Sequence, residues 1–231
     1  MTKILLNPGP TNTADDTKVA QTVGSDVCHR TENFKKLFSK TKRRLLEIYG
    51  DISSSEIAIM GGSGTTALES MITSLVPPKT TVIVAGIYGK RAVEIMKTFN
   101  IEHEIILCKS VDELYGSSKV KSLYFVENET TSGEHFPISK MIELYPNAKF
   151  FIDATSSFGS SSYHAYLQHI NALCFCSNKC LQSVPGLGIV LWNKILNLYS
   201  RTFYGDLSKY IDNIPFTIPV QAVAALFDVI S

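Results

Sequence analysis

The stretch "EIAIMGGSGTTALES", residues 56–70, contains the succession of elements that decides the fold. Residues 56–60 form a short apolar run, which predicts a buried strand. A glycine-rich turn follows, and the apolar periodicity of residues 63–75 predicts a helix. A strand, a tight turn and a helix in direct succession are typical of α/β proteins with a parallel sheet.

The same alternation continues along the chain. The predicted strands are residues 56–60, 81–85, 104–108, 123–127, 150–153, 172–176 and 188–192. The predicted helices are residues 32–49, 63–75, 90–99, 138–144 and 220–230. Because the strands are continuous apolar runs, we expect them to be buried on both faces of the sheet. The sequence therefore predicts an α/β fold with a mostly parallel sheet flanked by helices.

Composition excludes several classes of function. The chain has 231 residues, 45% of them hydrophobic and 19% charged, which suits one larger globular domain. A net charge of +1 gives no overall attraction to nucleic acid or to an anionic membrane. No apolar run is long enough to span a membrane, and the apolar start is too short for a signal peptide.

The five cysteines predict reduced thiols in a cytoplasmic protein, because their number is odd and no secretory signal is apparent. Cys174, Cys176 and Cys180 are close in sequence, but their spacing is not that of paired C-x-x-C metal knuckles. We interpret them as buried structural thiols, and we predict no metal site.

The glycine-rich turn is a candidate phosphate site. Ser63, Gly64 and Thr65 open the predicted helix, where free backbone N–H groups and the helix dipole favour an anion. A Walker A loop requires a lysine that is missing here, and Thr65 interrupts a G-x-S-x-G nucleophile elbow. Residues 62–67 fit a dinucleotide fingerprint, but the next strand ends without the acidic residue that would bind a ribose. A phosphate cradle or a simple tight turn remains.

In two further loops, a charged residue stands at the end of an apolar strand or just after it. In "KFFIDATSSFG", residues 149–159, Asp153 stands at the carboxyl end of its strand, where α/β sheets bind ligands. In "CSNKCLQSVPGLG", residues 176–188, Lys179 follows another apolar strand. Alone, Asp153 could cap a helix or a turn, and Lys179 could begin a surface turn.

The three loops together fit one cofactor, pyridoxal 5′-phosphate (PLP). Its phosphate needs an anchor, its aldehyde needs a lysine, and its ring nitrogen needs a carboxylate that keeps it protonated. The phosphate cradle, Lys179 and Asp153 meet these three needs, because all three project from strand ends of one predicted sheet.

The chain resembles the class V, fold type I aminotransferases, which are PLP-dependent. The matching stretches are "LLNPGPTNT", "SDVCHRTENF", "GGSGTTALES", "GIYGKRA", "ENETTSGEHFPI", "IDATSSFG", "SNKCLQSVPGLG" and "FTIPV". They occur in order from residue 5 to about residue 220, so the resemblance covers nearly the whole chain. It implies the large PLP-binding domain of fold type I enzymes over residues 1–231, with an N-terminal arm.

The resemblance also implies roles for individual residues. Lys179 would form the Schiff base and move the proton, and Asp153 would pair with the pyridinium nitrogen. The residues expected to bind the phosphate are Ser63, Gly64, Thr65 and Asn178.

Five more positions match contact residues of the family. Tyr88 would stack on the cofactor ring, and Thr130 would bind its phenolic oxygen. Thr217 would reach the phosphate of the partner subunit in a homodimer. His29 and Arg30 would lie near the substrate mouth, where an arginine suits a phosphonate.

The implied activity is amino transfer from 2-aminoethylphosphonate to pyruvate, or the reverse, with small amine and 2-oxo acid substrates. The family continues for roughly a hundred residues after "FTIPV", in a small domain that supplies an arginine for the substrate carboxylate. We expect this chain to lack that domain, and therefore to have impaired activity or to need a separate chain that supplies it. The alternative is a non-catalytic or split-gene remnant that acts as an assembly partner.

Overall fold

The computed structural model describes residue 5, residue 7, residues 9–23 and residues 27–231. Parts of the predicted N-terminal arm, including Leu6 and Pro8, lie outside the described residues.

A seven-stranded sheet forms the centre of the described structure. The described residues contain nine strands, seven of which belong to this sheet. In chain order they are β1 (Ser55–Gly61), β2 (Thr80–Val84), β3 (His103–Leu107), β4 (Ser122–Val126), β5 (Asn128–Glu129), β6 (Glu134–His135), β7 (Lys149–Asp153), β8 (Ile170–Cys176) and β9 (Leu187–Asn193). The sheet has the order β1-β9-β8-β7-β4-β2-β3. Strands β5 and β6 form a separate short antiparallel hairpin.

Strand direction determines which loops meet. The neighbouring pairs from β8 to β3 are all parallel, whereas β9 is antiparallel to both β8 and β1. Strand β1 therefore points the same way as β8, and six of the seven strands have their carboxyl ends at one edge. The predicted α/β fold with a mostly parallel sheet is confirmed.

Helices cover both faces of the sheet. They are α1 (Asp15–Val23), α2 (Glu32–Tyr49), α3 (Gly64–Leu75), α4 (Ile87–Thr98), α5 (Ile138–Leu144) and α6 (Val220–Ile230). Three short 3₁₀ turns occur at Val111–Glu113, His164–Tyr166 and Leu207–Tyr210. Helices α3 and α4 share one hydrophobic cluster with Ala58, Met60 and Tyr124. Helices α2, α5 and α6 share the other with Ile57 and Phe125, so alternate strand residues are buried on opposite faces.

The prediction that all strands are buried on both faces is wrong for β3. This strand lies at the edge of the sheet, and Ile105 and Leu107 are 44% and 75% exposed. An edge strand has a neighbour on one side only, so its apolar residues are less covered. Helix α1 and the β5–β6 hairpin were not among the predicted elements, because neither has a long apolar run.

Candidate active site

A cavity of about 190 Å³ opens at the edge where the parallel strands end, and we call it the strand-end cavity. Its lining residues are Ser63, Gly64, Thr65, Leu68, Tyr88, Arg91, Val126, Asn128, Thr130, Asp153, Thr155, Ser156, Cys176, Asn178 and Lys179. Eight of the nine residues predicted to contact the cofactor are in this lining, and the ninth, Thr217, is not. The strand order explains the result, because the loops after β1, β4, β7 and β8 all reach the same edge.

The candidate phosphate cradle is the start of α3. Ser63 is the N-cap residue, and its backbone N–H donates to Thr66 Oγ1 at 3.1 Å. Gly62 has a φ of 152°, and a Cβ there would overlap the Thr66 side chain, so the tight turn requires glycine. The N–H groups in the first turn of a helix have no intrahelical acceptor, and at α3 this turn lines the strand-end cavity. The turn can therefore bind an anion.

Asp153 is the last residue of β7 and is 4% exposed. Its Oδ1 accepts the Thr155 backbone N–H at 2.9 Å. Burial raises the pKa of Asp153, the hydrogen bonds from Thr155 oppose the rise, and the negative charge of Glu129 adds to it. A cationic group in the cavity would stabilise the ionised form of this carboxyl.

Lys179 lies in the turn after β8, half-buried beside Asn178. Its Nζ donates to the backbone oxygen of Gly9 at 3.3 Å, and Thr11 Oγ1 donates to the backbone oxygen of Lys179 at 3.2 Å. A Cβ on Gly9, whose φ is 150°, would overlap the Lys179 side chain. Gly9 and Thr11 thus pack directly on Lys179, whose side chain lines a cavity and does not lie in an open surface turn.

Tyr88 and Thr130 are positioned by a network that centres on Glu129, which is fully buried. Helix α4 begins at Ile87, three residues before the predicted helix, so Tyr88 lies in its first turn. Glu129 Oε2 accepts the backbone N–H groups of Tyr88 at 3.0 Å and Gly89 at 3.2 Å. Its Oε1 accepts the backbone N–H of Thr131 at 3.3 Å and the Thr131 hydroxyl at 2.5 Å. One carboxylate therefore holds both the α4 terminus and the loop that contains Thr130.

Sequence reasoning missed Glu129 and several residues of the cavity wall, among them Arg91 and Thr155. Glu129 was visible as an acid next to a run of hydroxyl residues, but nothing in the sequence showed that it reaches α4. Arg91 was visible only as part of the stretch "GIYGKRA". Since α4 is helical from residue 87, Tyr88 and Arg91 are three positions apart and lie on the same face.

His29 and Arg30 line a different cavity, of about 710 Å³, bounded by α2, the start of β1 and residues 212–214. None of its lining residues lines the strand-end cavity. The structure does not bring His29 and Arg30 to the other predicted site residues, and their contact with substrate stays a prediction. Thr217 is exposed and shares a small cleft with Gly61 and Tyr204.

The three cysteines that are close in sequence lie in or next to the protein core. Cys174 and Cys176 on β8 are buried, whereas Cys180 is half-buried and its thiol donates to the Ser156 backbone oxygen at 3.3 Å. Burial raises the pKa of Cys176 to about 11, which keeps this thiol protonated at neutral pH. Among the described residues, no group of three or more His, Cys, Asp or Glu side chains could hold a metal ion. The helices in the same part of the chain are too short or too polar to cross a membrane.

Comparison with known proteins assigns the fold. An aspartate aminotransferase from Thermus thermophilus superimposes with a TM-score of 0.83 at 24% identity, over 99% of this chain and 70% of the other. A PLP-bound phosphoserine aminotransferase from Trichomonas vaginalis superimposes with a TM-score of 0.77 at 15% identity, over 97% and 69%. The fold is that of the PLP-dependent aminotransferases, as the sequence resemblance implied.

Sequence comparison narrows the class to a family. The 2-aminoethylphosphonate–pyruvate transaminase of Pseudomonas aeruginosa is 31% identical, over 99% of this chain and 67% of the relative. The chain belongs to the 2-aminoethylphosphonate–pyruvate transaminase family, and it spans about two thirds of that relative's length. A search of protein-family profiles finds no match.

Proposed function

We propose that this chain binds PLP in the strand-end cavity and transfers the amino group of 2-aminoethylphosphonate to pyruvate, giving phosphonoacetaldehyde and alanine, or catalyses the reverse reaction. One observation carries the proposal: an anion cradle, a buried carboxyl, an aromatic side chain and a lysine line a single cavity. The family relationship supports the choice of substrates.

The residues of the cavity fit PLP. Ser63, Gly64 and Thr65 offer hydroxyl and backbone donors at a helix N-terminus for the phosphate. Burial raises the pKa of Asp153, and the protonated ring nitrogen of PLP would stabilise the ionised form of this carboxyl. Tyr88 offers a ring face for stacking, and the Lys179 amine has a single long hydrogen bond, to Gly9, among the described residues.

Each side chain has a distinct task in the proposed reaction. When bound, PLP supplies a ring that accepts electron density from the carbon that loses a proton. Lys179 Nζ anchors the aldehyde and moves a proton between carbon atoms. Asp153 holds a proton on the ring nitrogen, while Thr130 and Asn178 orient the ring and the phosphate. The clamp of Glu129 on α4 keeps Tyr88 in place for stacking.

We also propose that residues 1–231 correspond to the large domain and that the chain acts as a homodimer in the cytoplasm. The exposure of Thr217 leaves it free to reach a partner's phosphate, and the five free cysteines suit a reducing compartment. Sedimentation of the protein with and without PLP tests the dimer: a monomer at every concentration would contradict it.

Absorption spectra test the central proposal. Purified wild type, Lys179→Ala and the control Lys140→Ala, an exposed lysine on α5, are incubated with PLP and freed of excess. We expect the visible band of lysine-bound PLP in wild type and in the control, and its loss in Lys179→Ala. Addition of 2-aminoethylphosphonate should then bleach the band, whereas ethylamine, which lacks the phosphonate, should not.

The outcomes separate the parts of the proposal. A band that persists in Lys179→Ala would contradict the role of this lysine. A band that forms normally but responds equally to both amines would contradict 2-aminoethylphosphonate as the donor.

A further inference from the structure

Arg91 occupies a position in the strand-end cavity that the sequence did not predict. It lies in α4, is half-buried, and lines the cavity next to the cradle. Its Nη1 donates to Thr65 Oγ1 at 3.1 Å. Its Cζ is 5.0 Å from the centroid of the Tyr88 ring. The guanidinium is thus held between the candidate stacking residue and the candidate phosphate cradle.

No carboxylate among the described residues contacts Arg91 to balance its charge. None of the ion pairs among the described residues includes Arg91. Its positive charge is close enough to lower the pKa of Asp153, but burial outweighs this effect and the pKa of Asp153 stays raised. A half-buried cation without a carboxylate partner favours an anion in the adjacent space.

The cradle itself carries no full positive charge. Ser63, Gly64 and Thr65 provide hydroxyl groups, backbone N–H groups and the partial charge of a helix terminus. A phosphate monoester carries close to two negative charges at neutral pH, and an arginine fork matches its oxygens with two parallel donors. Because Thr65 Oγ1 accepts from Arg91, the hydroxyl proton of Thr65 is free to point into the cavity.

We propose that Arg91 binds the phosphate group of the cofactor and orients the Thr65 hydroxyl towards the same group. The inference rests on the proposed function, since it adds a binding residue to that site. It assigns to one guanidinium the charge neutralisation that the cradle lacks.

Paired ligands with and without a phosphate test this assignment. Dissociation constants for PLP and for pyridoxal are measured by absorption and by protein fluorescence in wild type, Arg91→Gln and Arg91→Lys. The control is Lys90→Gln, which removes an exposed charge from the preceding position of α4. Far-UV circular dichroism and the unfolding midpoint show whether each variant is folded. The thermal shift produced by inorganic phosphate alone is a readout that needs no cofactor.

We expect Arg91→Gln to bind PLP ~10-fold to ~100-fold more weakly, because it loses charge-assisted hydrogen bonds, and to bind pyridoxal as wild type does. The PLP affinity of Arg91→Lys should fall between those of wild type and Arg91→Gln, and the PLP affinity of Lys90→Gln should match that of wild type. Phosphate should raise the unfolding temperature of wild type more than that of Arg91→Gln.

Two results would overturn the inference while the proposed function stands. One is unchanged PLP affinity in Arg91→Gln. The other is an equal loss for PLP and pyridoxal, which would mean that Arg91 acts through the Tyr88 ring. If wild type binds neither PLP nor pyridoxal, the proposed function fails. In that case the change in unfolding temperature on adding phosphate decides whether Arg91 binds an anion. Equal changes in wild type and Arg91→Gln would then overturn the inference about Arg91 as well.

Discussion

Two regions at the same edge of the sheet bury carboxylates in opposite ways. In the β5–β6 hairpin, Glu129 is fully buried and accepts hydrogen bonds from four donor groups. Next to it, Glu127 accepts the hydroxyls of Ser157 at 2.5 Å and Tyr163 at 2.8 Å. At the end of β7, Asp153 is almost as buried, but its hydrogen bonds come from Thr155 and its pKa is raised.

The difference separates structural from ligand-binding carboxylates. A buried carboxylate that is saturated by internal donors fixes the segments that supply those donors. A buried carboxylate with too few donors or positive charges around it lowers the stability of the protein when it ionises, unless a cation enters the site. Glu129 belongs to the first kind and Asp153 to the second, while Glu127 is held by two buried hydroxyl donors. Of the three, only Asp153 lines the strand-end cavity.

The largest effect on stability should come from Glu129→Gln. The amide replaces one accepting oxygen by a donor, which then faces backbone N–H groups or a hydroxyl. We expect a loss of about 2–3 kcal/mol in the free energy of unfolding, since hydrogen bonds to a charged group are being broken. Urea unfolding, followed by fluorescence of the buried Trp192, measures it. Glu134→Gln, on the other strand of the hairpin, is the control, and equal losses in the two variants would refute the clamp.

A smaller effect of opposite sign is expected for Asp153→Asn. The pKa of Asp153 is raised above 3.8, so its contribution to stability is complete below pH 3.8 and is lost as the pH rises through the folded-state pKa. The variant without PLP should therefore melt several degrees higher than wild type at pH 7, since about 1 kcal/mol shifts Tm by roughly 2–4 °C at this size.

The same Asp153→Asn variant should bind PLP more weakly, because the neutral amide cannot stabilise a protonated ring nitrogen. Melting curves from pH 3 to pH 8 and PLP titrations give the two readouts. The stability difference should vanish near pH 3. A variant that is less stable than wild type at pH 7 would place Asp153 with the saturated carboxylates.

The smallest of these effects is expected for Tyr163→Phe. The change removes one of the two hydroxyl donors to Glu127 and keeps the ring, which stacks on Phe158 with centroids 5.8 Å apart. We expect a loss of about 1 kcal/mol, and unchanged PLP affinity, because Glu127 does not line the cavity. Tyr166→Phe, at a half-buried position nearby, is the matched control. A marked fall in PLP affinity for Tyr163→Phe would show that the two kinds of carboxylate are not independent.

The sequence predicted the residues of the strand-end cavity better than the contacts that hold those residues in place. Lys179, Asp153 and the cradle could be placed because each follows an apolar strand, and the carboxyl ends of parallel strands meet at one edge. The antiparallel direction of β9 and the exposure of β3 depend on the order of strands, which an apolar run does not encode. The contact of Glu129 with α4 joins residues 40 positions apart, and the contact of Arg91 with Thr65 joins residues 26 positions apart. No local sequence pattern predicts contacts over such separations.

The most direct test of the account is to locate the lysine that holds PLP. Wild-type protein is incubated with PLP, reduced with borohydride, digested and analysed by mass spectrometry. The account predicts a phosphopyridoxyl group on Lys179 at close to one per chain, with other lysines unmodified. Modification spread over exposed lysines, with Lys179 unlabelled, would contradict it.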